Sequence, residues 1–419
     1  MSPPRVQRGD KPMGFARLGV LFFIQWTGLA MWTVPLTLVL NSHGYQDIQP
    51  YAFATSALAA FVSPLFFGAV ADRHIGPTRV LRWLSVATAG ALAAESAAVA
   101  RGWNAGVVLA LIQLYALCAA PTTSISTTIV MAALRNPWNQ FGPVRAMGTI
   151  GWMVGCWLVS LLNADASPLA GFSGAVLWLL LAGFTFWLPE VAPPVAVQQL
   201  SWRERLGLDA LGLLSHRDHR VVFLATSLLN IPLAAFYAYT PPQLRDLGFA
   251  RVSAWMSLGQ TTEIAAMFAL GLLLARFRLK WILLAGAGIA LLRYLLCAWN
   301  DRAALLLGIA LHGCTYTLFF TTAQIYVNER VAAGWRARAQ ALLTLMNNGL
   351  GYLVGYLGCG WWFAHCGGPV ATRWPVFWGG LAVLIALVVG YFAVAYRGIG
   401  SGLRQSSQTA SSGAASAGN

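Results

Sequence analysis

The chain has 419 residues, of which 58% are hydrophobic and only 10% are charged, and its mean hydropathy is +0.63. Soluble domains carry roughly 25% charged residues, so this composition excludes an ordinary soluble protein and indicates an all-α integral membrane protein. The net charge of +14 would suit a nucleic-acid partner, but the basic residues are scattered between apolar segments, and we expect no nucleic acid to bind. The cysteines show no C-x-x-C spacing, so neither a metal site nor a disulfide framework is predicted.

Apolar segments long enough to cross a bilayer, which takes ~17–25 residues, occur twelve times along the chain. The first follows a basic stretch and could be taken for a signal peptide, but it is too long and lacks a small-x-small cleavage site. Six segments precede the longest polar stretch and six follow it, which predicts two six-helix bundles. The segments are 15–40, 51–71, 80–100, 105–134, 146–162 and 169–188, then 221–243, 252–275, 280–298, 303–327, 338–363 and 374–396.

The polar stretches divide the chain into five parts. The central one contains a short amphipathic stretch, 202–211, which is typical of a helix lying on a membrane surface, and it is too short for a soluble regulatory domain. The end of the chain is rich in Ser, Ala and Gly, which predicts disorder. The parts are an N-terminal segment (1–14), a first bundle (15–188), a central cytoplasmic loop (189–220), a second bundle (221–396) and a cytoplasmic tail (397–419).

The distribution of Lys and Arg predicts the orientation, because cytoplasmic loops carry an excess of both. With the N-terminus inside, most basic residues fall in inner loops. We therefore expect a multi-pass inner-membrane protein with both termini in the cytoplasm, surrounded by lipid as a monomer. The basic residues left outside are Arg101, Arg245, Arg251, Arg302 and Arg373.

Gln260 and Glu263 stand in the middle of an apolar segment. A carboxyl group at that depth costs at least ~2.5–3.5 kcal/mol on insertion scales, so it must face protein or water. Residues three apart share a helix face, so the two side chains point the same way. Either they form a structural hydrogen bond to another helix, or they line a solute pathway; we favour the pathway.

A glycine, an acid and several bases connect the second and third segments: Gly68, Asp72, Arg73 and Arg79. They resemble the G-x-x-x-D-R loop of the major facilitator superfamily, in which an acid and a base bridge helix ends on the cytoplasmic side. Together with six plus six segments, the resemblance implies the superfamily fold of two bundles rocking around a midplane site. The resemblance therefore implies that these four residues form a cytoplasmic gating loop.

Arg145, Thr149 and Trp152 are spaced i, i+4 and i+7 near the start of the fifth segment, so they share one helix face. That face offers a cation, a hydroxyl and a large aromatic plane. An arginine at a cytoplasmic helix start also follows the positive-inside rule, so Arg145 alone does not establish a site.

The pattern F-x-P-x-R-x-x-G-T-I-G in 141–151 resembles the nucleoside:proton symporters of the major facilitator superfamily, and further stretches fit that family in the same order. The resemblance implies nucleoside transport with proton symport, without a cofactor or catalytic residues, and nucleoside contacts at Arg145, Thr149, Trp152, Gln260, Glu263 and Tyr316. The further stretches are Leu206-Gly-Leu-Asp-Ala, Gly259-Gln-Thr-Thr-Glu, Leu292-Arg-Tyr, His312-Gly-Cys, Arg336-Ala-Arg-Ala-Gln and Asn348-Gly.

The residue chemistry agrees with a nucleoside, which has a flat base and hydroxyls and calls for aromatic planes with a few convergent polar groups. His312 and Tyr316, at i and i+4 in the tenth segment, add two such groups near mid-bilayer. A buried histidine is more often structural than a ligand contact, so both readings of His312 stay open.

Two departures from the family bear on coupling and specificity. Thr317 stands where members commonly have an acid implicated in proton coupling, and Ala234 and Tyr237 stand where some have amides. We expect Glu263 to take the proton, since desolvation favours its neutral form and hydration its charged form. Glu95, near the outer end of the third segment, is a rival carboxyl for which a snorkelling or structural role is favoured.

Three other functions stay open on the sequence alone. One is proton-independent nucleoside transport, and another is transport of a different small polar solute by the same fold. The third is a non-transporting membrane sensor or scaffold, for which a signalling domain would be expected.

Arg293, within the ninth segment, is interpreted as structural, reaching the outer interface or Asp301.

Overall fold

The computed structural model describes residues 15–71, 76–134, 137–190, 201–369 and 371–398, and most of them are helical. Within these residues we number twelve long helices; α1 bends at Pro35, and α8 breaks at Ser257. Short helical turns lie between them. The long helices are α1 Phe15–Ser42, α2 Gln49–Ala71, α3 Pro77–Ala100, α4 Ala105–Ala133, α5 Pro137–Leu161, α6 Leu169–Trp187, α7 Arg217–Asp246, α8 Val252–Arg276, α9 Leu279–Trp299, α10 Arg302–Arg330, α11 (336–365) and α12 Trp374–Ala395.

Ten of these described helices contain stretches long and apolar enough to cross a membrane. The other two, α2 and α11, lie where the second and eleventh spans are predicted. The all-α membrane architecture is therefore confirmed, and the count of twelve spans stays a prediction.

The helices pack into two groups that follow chain order. In the first half, α1 lies against α5 and α6, while α3 lies against α4 and α6. In the second half, α7 packs on α11 and α12, α8 on α10, and α9 on α10 and α12. The two groups meet where α2 contacts α11 and where α5 contacts α8. A cleft between the bundles is therefore bounded by helices from both halves.

Two helices begin earlier than their apolar segments. α5 begins at Pro137 rather than near residue 146, and α7 begins at Arg217 rather than near 221. Hydropathy marks only the part of a helix that lies in lipid, whereas the hydrogen-bonded backbone continues into the polar boundary. Arg145 consequently lies inside α5, two turns beyond its first residue, and not at a helix start.

At one end, hydrogen bonds join the two bundles. Asp165 Oδ1 accepts from the backbone N–H of Ser253 (2.6 Å), and Ser160 Oγ accepts from the N–H of Ala254 (2.9 Å). Ser160 Oγ also donates to Asp165 (3.1 Å). Trp157 Nε1 donates to Ser257 Oγ (3.0 Å) in the same region. We call this group of hydrogen-bonded residues the seam; its members are Trp157, Ser160, Asp165, Ser253, Ala254 and Ser257.

The seam lets one bundle cap a helix of the other. The first N–H groups of a helix lack the usual acceptors four residues earlier, and Asp165 and Ser160 accept from the N–H groups of Ser253 and Ala254. The N–H of Ala254 also donates to the carbonyl of Arg251 (3.1 Å). A carboxylate beside a helix N-terminus is also favoured by the helix dipole. Outside the seam, Gln49 Nε2 donates to the carbonyl of Ala238 (2.7 Å), a further hydrogen bond between the bundles.

Candidate functional site

A cavity of about 180 Å³ lies between the bundles. All seven residues predicted to bind substrate line it, so the structure brings together side chains from α5, α8 and α10. Four other lining residues were not predicted as site residues. The predicted set is Arg145, Thr149, Trp152, Gln260, Glu263, His312 and Tyr316, and the additional residues are Trp26, Leu233, Tyr237 and Tyr352.

The cavity lies near the middle of its helices. Glu263 and His312 come eleven and ten residues after the first residues of α8 and α10, Val252 and Arg302. At 1.5 Å per residue this is ~15 Å, about half of a hydrocarbon core of ~30 Å. The site therefore lies at the depth where the sequence places His312.

Close packing of α1 against α5 forms the first wall. A Cβ at Gly151 would collide with the backbone of Phe23, so only glycine permits this approach. The approach brings the Arg145 guanidinium over the Trp26 ring, 4.3 Å from its centroid, and places Trp26 6.0 Å from Trp152. A cation on an aromatic face is held electrostatically, so Trp26 positions Arg145 at the cavity.

The opposite wall depends on Gly313 in the same way. A Cβ there would collide with the backbone of Glu263 and Gly259, so α10 approaches α8 at the level of the site. Thr262 Oγ1 donates to the carbonyl of Ala310 and ties the same two helices together. Gly151 and Gly313 are thus packing residues. The close helix approach at each of them brings a predicted contact, Thr149 or His312, to the cavity.

Aromatic rings hold His312 in place. It stacks face to face on Phe236, with centroids 4.1 Å apart and planes at 10°, and lies 6.4 Å from Tyr316. Tyr316 begins a π-helical turn, Tyr316–Thr321, within α10. Such turns are frequent at functional sites because they change which side chains face inward. Thr317, next in the chain, is fully buried and is not among the lining residues.

Tyr237 connects the two walls. Its ring lies 5.7 Å from that of Trp152 at 64°, and 5.9 Å from that of His312 at 80°. Its hydroxyl oxygen accepts from Gln260 Nε2 at 3.2 Å. The sequence marks Tyr237 only as a departure from a family pattern, and Trp26 carries no local signal that separates it from other tryptophans in apolar segments.

Several buried polar atoms around the cavity have no hydrogen-bond partner among the described residues. Burying such an atom unpaired costs ~1–3 kcal/mol, so these atoms are available to form hydrogen bonds with a solute in the cavity. Both donors and acceptors are represented. The atoms are Trp26 Nε1, Trp152 Nε1, Gln260 Oε1 and His312 Nδ1.

Arg145 and Glu263 are the oppositely charged residues of the cavity. Both line it, yet the described residues contain no ion pair between them and no hydrogen bond to the Glu263 carboxyl. The carboxyl can therefore accept a proton or a substrate hydrogen bond without first breaking a hydrogen bond to the described residues.

The predicted gating loop is only partly described. Gly68 lies in the last turn of α2, whereas Asp72 and Arg73 lie outside the described residues. Arg79, on α3, forms an exposed ion pair of 2.8 Å with Glu190 after α6. The Arg79 guanidinium lowers the pKa of the Glu190 carboxyl.

Two charged residues in the helices lie away from the cavity. Glu95 is completely buried and accepts from Trp32 Nε1 at 2.8 Å, so the snorkelling interpretation is wrong and a structural contact is observed. Arg293 is also buried, with its guanidinium 4.6 Å from the Phe236 centroid. Asp301 caps α10 instead of binding Arg293. The expected contact between Asp301 and Arg293 is therefore wrong.

Three proteins of Escherichia coli (strain K12) are similar to this chain in sequence. The chain is 33% identical over 407 residues to YegT of Escherichia coli (strain K12), covering 91% of this chain and 93% of that protein. It is 26% identical to the xanthosine permease of the same organism, covering 91% and 96%. It is 28% identical to the nucleoside permease NupG, also from that organism, covering 80% and 84%.

Solved structures show the same fold. The crystal structure of the nucleoside transporter NupG superposes with a TM-score of 0.81 at 23% identity, covering 92% of this chain and all of that one. The POT family transporter PepTSo gives a TM-score of 0.69 at 13% identity, covering 94% of this chain and all of that one. The two-bundle fold of the major facilitator superfamily is thus confirmed.

A sequence profile described as "Nucleoside H+ symporter" matches residues 13–399, nearly the whole chain. The family and the relatives reported above are transporters (permeases) and not enzymes. The chain therefore belongs to the nucleoside H+ symporter family and is a nucleoside transporter with proton symport.

Proposed function

We propose that the cavity between the bundles is the nucleoside site, and that Glu263 carries the proton moved with the nucleoside. The observation that supports this most directly is the set of unpartnered polar atoms among aromatic rings at mid-membrane depth. A flat, neutral solute with edge donors and acceptors would satisfy those atoms while its base packs on the rings.

The aromatic side chains suit a nucleobase. Trp26 and Trp152 line the wall of the first bundle, and Tyr316 and Tyr352 line that of the second. Tryptophan and tyrosine planes bind flat aromatic groups through stacking, at ~0.5–1.5 kcal/mol beyond the area buried. Arg145 and Thr149 add donors on the side of the first bundle, so groups from both bundles would grip one solute.

Glu263 meets the requirements for a coupled proton site. Its carboxyl lies in the cavity with no hydrogen bond from the described protein, and burial disfavours the charged form, whereas access to water favours it. A change of cavity hydration between conformations would load and release the proton. The Thr317 position cannot take this role, because a threonine hydroxyl does not ionise in the physiological range.

The conformation supports alternating access. The seam lies at the end that carries the α5–α6 and α7–α8 connections, which the positive-inside rule assigns to the outside. With that end held shut, substrate would exchange with the cytoplasm in this state. We propose an inner-membrane importer with both termini in the cytoplasm and with transport competence as a monomer.

Uptake into proteoliposomes tests the assignment of Glu263. We expect labelled uridine or adenosine to accumulate when a proton gradient is imposed, and Glu263→Gln to abolish the response to the gradient while leaving exchange of nucleoside across the membrane. Glu95→Gln is the matched control, since Glu95 is a buried carboxyl outside the cavity. The assignment fails if Glu263→Gln keeps the gradient response; loss of that response only in Glu95→Gln would move the proton to the rival carboxyl.

A further inference from the structure

A second cavity, of about 290 Å³, lies where the start of α9 meets the ends of α10 and α12. It is at the opposite end of α8 from the seam, and the proposed orientation places it at the cytoplasmic surface of the membrane. Among the described residues that line it, three are basic and none is acidic. The lining residues are Arg278, Leu279, Lys280, Arg330, Tyr396 and Gly398.

The three basic side chains form no ion pair with a carboxylate of the described residues. In that part of the chain, the ion pairs join Arg79 to Glu190 and Arg338 to Glu204. The positive-inside rule explains why each inner connection carries bases, but not why bases from the α8–α9 and α10–α11 connections meet at one cavity. Like charges repel each other, so an anion in the cavity would stabilise this arrangement.

Two acidic residues lie close to these basic ones but do not line the cavity. Asp218 Oδ1 accepts from the backbone N–H of Arg397 at 3.1 Å. Glu329, which precedes Arg330 in α10, is exposed. Residues 399–419, which follow the cavity in the chain, contain no Asp or Glu. The described acidic residues thus leave the cavity without a counter-charge.

Hydrogen bonds hold one of the bases at the cavity. Lys280 Nζ donates to the carbonyls of Ala393 (3.1 Å) and Tyr396 (2.8 Å) at the end of α12. An ammonium group has three N–H donors, so one remains for an anion. The start of α9 lies at the same place, and its N-cap residue Arg278 makes no side-chain capping hydrogen bond. The dipole of α9 therefore also favours a negative charge there.

Exposed aromatic residues place the cavity at the boundary between lipid tails and headgroups. Phe277 and Trp281 stand on either side of Arg278 in the chain, and they are 55% and 59% exposed. Tryptophan is enriched at that boundary in membrane proteins. A ligand with an anionic head and an apolar body can contact the bases and these aromatic side chains together, whereas a free phosphate ion can contact only the bases.

We propose that this cavity binds the phosphate headgroup of an anionic phospholipid of the cytoplasmic leaflet. The headgroup would contact Arg278, Lys280 and Arg330, and the acyl chains would lie against Phe277 and Trp281. Basic pockets between membrane helices on the cytoplasmic side bind acidic lipid headgroups in this way. The lipid would join the ends of three helices of the second bundle, so it should stabilise that bundle without touching the nucleoside cavity.

Titration of delipidated protein in a neutral detergent with phosphatidylglycerol tests the site. We expect native mass spectrometry to show one tightly retained lipid, and the thermal unfolding temperature to rise with the lipid concentration. Arg278→Gln and Arg330→Gln should each weaken this binding about fivefold, because a basic side chain near a membrane surface contributes ~1 kcal/mol. Arg278→Lys and Arg330→Lys keep the charge and should bind the lipid almost as the wild type does.

Arg276→Gln is the matched control, since Arg276 is an exposed base at the end of α8 that does not line the cavity. It should bind phosphatidylglycerol as the wild type does. Phosphatidylcholine with the same acyl chains and inorganic phosphate are titrated in parallel. Equal affinity for phosphatidylcholine, or an equal loss of binding in Arg276→Gln, would overturn the proposal. Equal stabilisation by inorganic phosphate at the same concentrations would reassign the cavity to a free anion and would also overturn it.

Discussion

The cavity and the seam both place polar groups between the two bundles, yet the hydrogen bonding of those groups differs. In the seam, the Asp165 carboxylate and the Ser160 hydroxyl accept backbone N–H groups across the boundary, at 2.6 and 2.9 Å. In the cavity, Gln260 Oε1 and Trp152 Nε1 are buried without partners among the described residues.

This difference separates two tasks. Polar groups that bind each other hold one conformation of the protein, whereas polar groups left unpaired are available to a solute. Substitutions in the seam should therefore change the distribution of conformations, and substitutions in the cavity should change substrate affinity. The following predictions test that separation.

The largest effect is expected where the geometry of the cavity depends on a glycine. Gly313→Ala places a Cβ against the backbone of Glu263, and overpacking of this kind costs ~1–3 kcal/mol. We expect a lower thermal unfolding temperature and at least tenfold slower uptake. Gly271→Ala on α8 is the control, because a Cβ there meets nothing within 4 Å. Equal behaviour of the two variants would show that this helix approach is not needed for the site.

A smaller effect is expected in the seam. Asp165→Ala leaves the Ser253 N–H without its acceptor, which should destabilise the closed outer end by about 1–2 kcal/mol. Spin labels at Asn163→Cys and Ala250→Cys should then report a new population at longer distance, with nucleoside affinity almost unchanged. Asp165→Asn keeps an acceptor oxygen and should restore the short distance. A change in affinity without a change in distance would contradict the separation of tasks.

Two tryptophans of α5 provide a direct comparison of the two regions. Trp152→Ala removes a ring from the cavity and should raise the KM for nucleoside about 2- to 13-fold, the equivalent of ~0.5–1.5 kcal/mol of stacking. Trp157→Ala removes a seam hydrogen bond to Ser257 and should alter the label distances more than the KM. An unchanged KM in Trp152→Ala would remove that residue from the site.

The smallest effect is expected at the exposed ion pair of Arg79 and Glu190. Arg79 lowers the pKa of Glu190 in the folded protein, so its stabilising contribution is present above the ordinary carboxyl pKa and is lost as the pH falls through the lowered value. Thermal unfolding of Arg79→Ala should differ slightly from wild type at neutral pH, and not at a pH below the lowered pKa of Glu190. A large difference in unfolding temperature at neutral pH would show that this pair has a role beyond surface electrostatics.

Much of the site could be predicted from local spacing. Arg145, Thr149 and Trp152 share a helix face because their positions repeat with the helical period. Gln260 and Glu263 also share a helix face, for the same reason. Trp26 and Tyr237 could not be predicted in this way. Each joins the cavity through contact with another helix, and an aromatic residue in an apolar segment looks the same whether it faces lipid, core or cavity.

The amino-acid sequence by itself determined the membrane-embedded helices, their division into two halves and the family, since composition, periodicity and motif order are properties of the chain. Only the tertiary structure decided which polar groups bind each other and which stay unpaired. Asp165 and Glu263 are both acidic residues in the sequence, but Asp165 caps a helix of the other bundle, whereas Glu263 lines the cavity with no hydrogen bond or ion pair from the described residues. That distinction depends on distances between helices far apart in the chain, which packing at residues such as Gly151 and Gly313 sets.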